Sequence, residues 1–286
     1  MKLFRPLVNS LRQRSAKKSI VDLTSHRSLK LQAIGQALSE SLPPRPQHNT
    51  EDSVLSEIEK RRKSLLDSER VIKKIDFGAG SPSSTRSKSE MASGVEISNT
   101  VAEVCGGSKS EFWAHFLFRM IRKTNPVSCV ELGSCVGISA AYQAYALKLN
   151  QQGKLLSLEG SPQVADIARE TLSTIDLEEY ASIQTGPFNK TLLPSLQSMK
   201  PVDYLFNDGH HDHDAVLGYF DDALLYLADE AIVVIDDISW SDGMKAAWSE
   251  IESHERVSLT VNLRQVGIAV IGSASSSKKE HFNIPL

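Results

Sequence analysis

The sequence predicts an α/β fold: a doubly wound sheet of about seven strands, mostly parallel with an antiparallel last strand, helices on both faces, and a helical and loop-rich N-terminal extension. Three observations predict it. From about residue 95 onward, short apolar runs alternate with segments of helical period. The runs Val233-Val234-Ile235 and Gly267–Ile271 are continuously apolar, as strands buried on both faces are. The last two runs leave no room for a helix between them, so they pair antiparallel.

Within residues 110–286, Trp113, Phe116, Leu117, Met120 and Ile121 share one helix face, and Asn125-Pro126 ends that helix. A strand over 128–132 runs into a glycine turn, 133–137, and a helix over about 138–149. The next strand, 154–159, ends at Glu159 and precedes the helical run 164–172. A third strand over 181–185 and a short helix near 190–199 follow, then the fourth strand, 202–208. Val216, Phe220, Ala223 and Leu227 form the stripe of the next helix. A fifth strand lies within 230–237, Met244, Ala247, Trp248 and Ile251 mark a last helix, and strands within 256–263 and 265–272 complete the sheet.

The N-terminal part reads differently. The first thirty residues are basic, with Asp22 as the only acid, and lack the apolar stretch of a secretory signal. Residues 1–50 are therefore expected to be a basic arm and Pro-rich linker, docked or waving in solvent, with a mitochondrial transit peptide as the alternative. Residues 51–109 are expected to hold a charged helix over 53–74, with a thin stripe of Leu55, Ile58, Leu65 and Leu66, and a long Ser/Gly loop over 76–94. Such a loop beside a site often serves as a lid.

Apolar residues are 41% and charged residues 23% of the 286, which excludes wholesale disorder, a collagen-like chain and a coiled-coil rod. With 32 Lys+Arg against 35 Asp+Glu, the net charge of -3 gives no global pull toward nucleic acid or anionic lipid. Cys105, Cys129 and Cys135 form neither a disulfide framework nor a paired zinc spacing. Reduced thiols point to the cytoplasm, or under the transit-peptide alternative to the mitochondrial matrix. No apolar run approaches the ~20 residues of a membrane span.

Two glycine motifs compete for a cofactor. Asp76-Phe77-Gly78-Ala79-Gly80-Ser81 lacks a convincing strand before it and cannot open a helix at once, so it fails the strand–glycine–helix context. The run from Glu131 to Ser139 meets that context, and Glu159 follows at a strand tip, 22 residues after Gly137, placed to accept two ribose hydroxyls. Its pattern is E-x-G-x-x-x-G-x-S. An acid before the first glycine repels a pyrophosphate and attracts an ammonium. That favours S-adenosylmethionine over NAD.

On Val130–Tyr142, Leu155–Leu172, Ile183–Leu192, Val202–His211 and Ala231–Trp240, in that order, the chain resembles the class I S-adenosylmethionine-dependent methyltransferases, and more narrowly the branch related to catechol O-methyltransferase, with its Rossmann-like sheet. The loop at 76–81 with the C-terminal HFNIPL also resembles a group of bacterial methyltransferase-like proteins, extending the likeness back to about residue 55. The resemblance implies that Glu131, Gly133 and Ser139 hold the methionine end of the cofactor, Glu159 the ribose, and Gly186, Phe188 and Asn189 the adenine. Ser134, Gly137, Gly160 and Asp208 complete the expected cofactor set. Simpler roles compete: Phe188 as core, and Glu159 as partner of the helix start at Ser161-Pro162.

The resemblance also implies that Asp208, Asp236 and Asp237, at the ends of the fourth and fifth strands, bind Mg²⁺ or a similar ion; the related enzymes carry Asn where Asp237 stands. Asp237 or Ser239 could instead cap the following helix. The run Asp208–Asp214 contains three histidines and invites a metal-dependent hydrolase reading, but turn neighbours rarely converge on one ion. His211 lies where the related enzymes have a basic residue, and its ordinary pKa suits proton removal at neutral pH. It is the expected catalytic base, with His210 as the second candidate, Asp212 as a helix cap and His213 facing solvent.

The expected activity is methyl transfer from S-adenosylmethionine to an oxygen of a small hydroxylated acceptor, with divalent-metal assistance and without nucleic acid; a homodimer is left open. The alternatives are a non-catalytic S-adenosylmethionine-binding protein, an NAD-linked oxidoreductase and a metal-dependent hydrolase.

Overall fold

The computed structural model describes residues 5–43, 45, 49–81, 84–272, 279–284 and 286. The N-terminal part comprises α1 (Arg5–Thr24), α2 (Leu29–Ser41), α3 (Asn49–Leu66), β1 (Val71–Asp76), the two-residue strands β2 (Gly80–Ser81) and β3 (Ser84–Thr85), α4 (Lys88–Ser93), β4 (Val95–Thr100) and α5 (Val101–Gly106). Then follow α6 (Glu111–Thr124), β5 (Ser128–Leu132), α7 (Ile138–Asn150), β6 (Lys154–Glu159), α8 (Pro162–Thr174), β7 (Ala181–Thr185), α9 (Phe188–Met199) and β8 (Val202–Asn207). The chain continues through α10 (His213–Leu224), β9 (Leu227–Ile235), α11 (Asp242–Ser253), β10 (Val257–Asn262), β11 (Gly267–Ile271) and β12 (Glu280–Asn283).

The central sheet has eight strands in the order β12-β10-β11-β9-β8-β5-β6-β7. Strands β9, β8, β5, β6 and β7 run parallel, and β11 is inserted antiparallel between β9 and β10. Alternate residues of each strand face opposite layers. On β8, Tyr204 and Phe206 enter the layer that holds α6, α7 and α8, while Leu205 enters that of α9, α10 and α11. The winding reverses between β5 and β8, so Leu132 has Leu158 on one side and Asn207 on the other. The carboxyl ends of these strands form the crevice where ligands bind in open α/β sheets.

Three features depart from the sequence reading. An eighth strand, β12, closes the edge beside β10 and is parallel to it, Phe282 opposite Val261. Its four residues, Glu280 to Asn283, carry no apolar run to betray them. The helix expected over 53–74 ends at Leu66; the β-branched Val71 and Ile72 pair instead with β4, Val71 opposite Thr100. Leu227 opens β9 rather than continuing the stripe of α10.

The basic start of the chain is built into the core where the structure describes its side chains. Ile34 and Leu38 of α2 are fully buried, as are Leu23 of α1 and Leu31. Arg119 of α6 is 3% exposed and donates to Glu51 Oε2 at 2.7 Å, with Glu40 Oε2 at 3.4 Å. A buried guanidinium needs such partners. The center of the Pro-rich joint, 46–48, lies outside the described residues. Among the described residues no helix is long and apolar enough to cross a membrane.

If α2 belongs to the core, Ile34→Ala costs about 2–5 kcal/mol of unfolding free energy. Urea denaturation followed by circular dichroism measures this, and an unchanged midpoint contradicts the packing.

Candidate active site

The site begins with a turn only glycine can make. Gly133 has φ +98°, and a Cβ there would stand 2.6 Å from the Asp208 carbonyl oxygen. The end of β5 therefore touches the end of β8 backbone to backbone. Gly137, at φ +85°, starts α7 against the Ala168 backbone, 2.9 Å from where a Cβ would lie. The turn's amides are spent within the fold: Gly133 and Ser134 N–H donate to the Leu158 carbonyl at 2.9 and 3.1 Å, and Gly137 N–H to the Ser134 carbonyl at 2.8 Å. Cys135 N–H donates to Glu159 Oε2 at 3.0 Å.

Glu131 points into the protein and is fully buried. Gln143 Nε2 donates to its Oε1 at 2.8 Å and the Ser157 hydroxyl donates to Oε2. Burial raises its pKa to about 7, against hydrogen bonds from Ser139, Ser157 and Gln143. Ser134 and Ser139 are buried with it, Ser134 Oγ lying 2.5 Å from Ser157 Oγ. These three residues thus form a polar knot beneath the turn.

Over the strand ends lies a cavity of about 480 Å³. Of the residues expected from the sequence, Gly133, Glu159, Gly160, Phe188, Asp208, His210 and His211 line it; Glu131, Ser134, Gly137, Ser139, Gly186, Asp236 and Asp237 do not. Asn189 lines a neighbouring cavity of about 280 Å³ that shares Phe77, Phe188 and His210. Glu159 accepts from Ser161 N–H at 2.9 Å as well as from Cys135, so it serves the helix start while facing the cavity. Burial raises its pKa, against those two amide bonds. The Phe188 ring packs edge-on against His210 and Tyr219, with centroids 5.6 and 5.7 Å away.

The opposite wall comes from the segment that the strand–glycine–helix test set aside. Residues 74–80 line the cavity together with Asn99, Glu103 and Gly107. The Phe77 ring lies on Gly160, 2.6 Å from where a Cβ would be, so a side chain at 160 would displace it. Arg86 fixes the loop, donating to Asp76 Oδ2 at 3.0 Å and to the Asp76 and Gly78 carbonyls at 3.2 and 3.0 Å. The sequence test failed because β1 belongs to a separate two-stranded ribbon with β4, outside the main sheet.

The acidic groups meet a partner absent from the sequence reading. The Lys109 ammonium contacts Asp236 and lies 3.2 Å from Asp208 Oδ1; its side chain is 10% exposed and that of Asp236 0%. Burial alone would lower the Lys109 pKa, but Asp208 and Asp236 carry it above the ordinary lysine range. Burial pushes Asp236 upward, with the Asp208 charge adding to it, while Lys109 and His211 outweigh burial at Asp208 and hold that carboxyl low. His211 Nε2 stands 3.6 Å from Asp208 Oδ1 and its Nδ1 3.6 Å from Asp237 Oδ2. Nε2 is buried with no hydrogen-bond partner.

Asp208, His211 and Asp236 offer ligand atoms within 4.8 Å of one another, whereas Asp237 stands outside this trio and accepts from Gln265 Nε2 at 3.3 Å. The other histidines are engaged. His210 Nδ1 meets the Tyr219 hydroxyl at 2.5 Å, and burial lowers its pKa. His213 lies at the solvent-facing surface, as expected, and there bridges Asp214 at 2.9 Å and Glu250 at 2.8 Å. Asp212 caps α10 by accepting from Ala215 N–H, and Ser241, rather than Asp237 or Ser239, caps α11.

Residues 130–238 match a family model described as a methyltransferase domain. Over that stretch the chain is similar to a methyltransferase domain. Among solved structures, it resembles the O-methyltransferase from Bacillus cereus in complex with SAH at 19% identity and a TM-score of 0.54, covering 82% of this chain and 96% of that one. It also resembles the SAH-bound Podospora anserina methyltransferase at 15% identity and a TM-score of 0.54, covering 81% of this chain and 100% of that one. At these identities the likeness is one of fold. A search of curated protein sequences found no match.

The burial of Glu131 has a measurable consequence. A carboxyl whose folded pKa is raised from 4.5 to about 7 contributes stability that is fully present below 4.5 and is lost as pH rises through 7. Glu131→Gln does not titrate, so the stability of the native chain relative to this variant falls by up to about 3 kcal/mol between acid and neutral pH. Urea titrations of both proteins across this range measure it, and a pH-independent difference refutes the assignment.

Proposed function

We propose that the chain is an S-adenosylmethionine-dependent O-methyltransferase of a small hydroxylated molecule. The observation that carries this reading is the methyltransferase-domain match over residues 130–238, whose strand ends bring Glu159, Asp208 and His211 to one cavity. The donor fits the residues present. A carboxylate has about four acceptor positions, and two amides occupy only part of Glu159, leaving lone pairs for ribose hydroxyls. Gly133 and Asp208 border the methionine end, and Phe188 and Asn189 the adenine end. Glu131, Ser134 and Ser139 act from beneath, by fixing the turn.

The spent amides argue against NAD. A pyrophosphate is cradled by free backbone N–H groups at a glycine turn, and those of Gly133, Ser134, Cys135 and Gly137 already donate within the fold. A hydrolase built on the histidine run is disfavoured because His210 and His213 are bound to Tyr219, Asp214 and Glu250.

When bound, S-adenosylmethionine supplies a methyl group on a positively charged sulfur. The chain's part is alignment and proton removal. The His211 imidazole takes the acceptor's hydroxyl proton, and Asp208 and Asp237 flank the imidazolium that results. The loop at 76–80 and α5 wall the acceptor side, so residues 51–109 act as a fixed cover for the domain over 110–286. Divalent-metal assistance is not part of this reading: Lys109 already engages Asp208 Oδ1 and Asp236 Oδ2, so an ion on this donor set would meet a fixed positive charge.

Calorimetry is expected to detect S-adenosylmethionine and S-adenosylhomocysteine binding and no NADH binding. With labelled donor and a panel of hydroxylated metabolites, His211→Ala lowers kcat at least about 100-fold while donor binding is kept. NADH binding, or full turnover by the His211 variant, overturns the reading.

A further inference from the structure

We propose that the Lys109 ammonium is the resident cation of the Asp208–Asp236–His211 cluster, standing where a divalent ion would otherwise bind. Its consequence for methyl transfer rests on the function proposed above; the cation assignment does not.

The argument is geometric. Asp208, His211 and Asp236 have the spacing that one ion bridges. Lys109 Nζ lies among them, touching Asp236 and 3.2 Å from Asp208 Oδ1. Asp236 Oδ1 is left buried without a partner, but an ion drawn to it would sit within a few ångströms of the ammonium's fixed positive charge. Lysine is a compact point charge with three donors, suited to this replacement. Lys109 is also held from behind, because Arg62 Nη1 donates to its carbonyl at 2.7 Å. Arg62 in turn is ion-paired to Glu59 at 2.9 Å. Asp237 is the remaining charged group facing Lys109, and it too is better neutralised by a cation inside the cluster than by none.

Two consequences follow. The acceptor needs no pair of adjacent oxygens to chelate a metal, so its class widens to molecules with a single hydroxyl. The ammonium holds the two carboxylates in place, leaving His211 free to take the proton. Lys109 is in these terms a positioning residue.

The test uses Mn²⁺ as probe on the full chain, by electron paramagnetic resonance and by thermal midpoint, for the native protein, Lys109→Ala and Lys109→Ala/Asp236→Asn. Native protein is expected to bind no stoichiometric Mn²⁺. Lys109→Ala is expected to bind one equivalent at least ten-fold more tightly than native protein, and the double variant to lose that gain. If Lys109→Ala is poorly folded, Mn²⁺ raises its midpoint and leaves the native midpoint unmoved. One equivalent of Mn²⁺ on the native protein, or no gain of either signal in Lys109→Ala, overturns the proposal. Neither readout involves S-adenosylmethionine, so absent methyl transfer with a Mn²⁺ gain condemns the function and spares the cation, and methyl transfer without a Mn²⁺ gain does the reverse.

Discussion

Two carboxylates at neighbouring strand ends cannot both stay charged in a dry crevice without a cation, and this constraint organises the whole molecule. Asp236 has no solvent exposure and Asp208 little, so each ion would cost several kcal/mol to bury unaided. The compensating charge comes from Lys109, in the segment linking α5 to α6. That segment is anchored by Arg62 on α3, and α3 by Glu59, which also accepts from the Tyr142 hydroxyl on α7 at 2.8 Å. The N-terminal elements are therefore part of the site's electrostatics. A boundary drawn between 109 and 110 separates the acids from their cation, and breaking a buried pair at one partner typically costs about 3–5 kcal/mol.

The second constraint is the contact of Gly133 with the Asp208 backbone. Beside it the turn folds onto β6, and the Gly133, Ser134, Cys135 and Gly137 amides all donate within the fold. The sequence argument from Glu131 disfavoured a pyrophosphate by a different route, direct attraction of an ammonium. In the structure the Glu131 carboxylate is enclosed by Gln143 and Ser157 and cannot touch a ligand in the cavity. It acts on the turn's shape, with burial setting its proton affinity.

What was legible in the sequence follows from locality. Strands buried on both faces, such as Gly267–Ile271, and amphipathic helices such as α6 announce themselves within a dozen residues. The carboxyl ends of the strands were legible too, because acids following apolar runs mark them. Lys109 was not, since its partner Asp236 lies 127 residues away and nothing nearby singles out that lysine. Phe77 escaped for a related reason: its value depends on the missing side chain at Gly160. The burial of α2 was masked by the basic composition around it, although Leu31, Ile34 and Leu38 carry the 3- and 4-residue spacing of a helix face.

Backbone conformation at the strand ends shows how the reactive groups are left free. Cys135, His210 and Asp237 all sit in the left-handed region, with φ of +49°, +48° and +52°. Such residues cost roughly 1–3 kcal/mol each and persist only where other contacts over-determine them. Those contacts are present: Cys135 N–H is held by Glu159, His210 by Tyr219 and Phe188, and Asp237 by Gln265. Each of the three turns is fixed by a residue other than His211. Its imidazole is the one histidine ring at this end of the sheet with a buried nitrogen facing the acids and no hydrogen bond, among the described residues, to satisfy it there. His210 also has an unpartnered buried nitrogen, but its other nitrogen is committed to Tyr219, and its ring is stacked on that residue. Of these two rings, only that of His211 lies between carboxylates, Asp208 and Asp237, and this is what supports it over His210 as the proposed base.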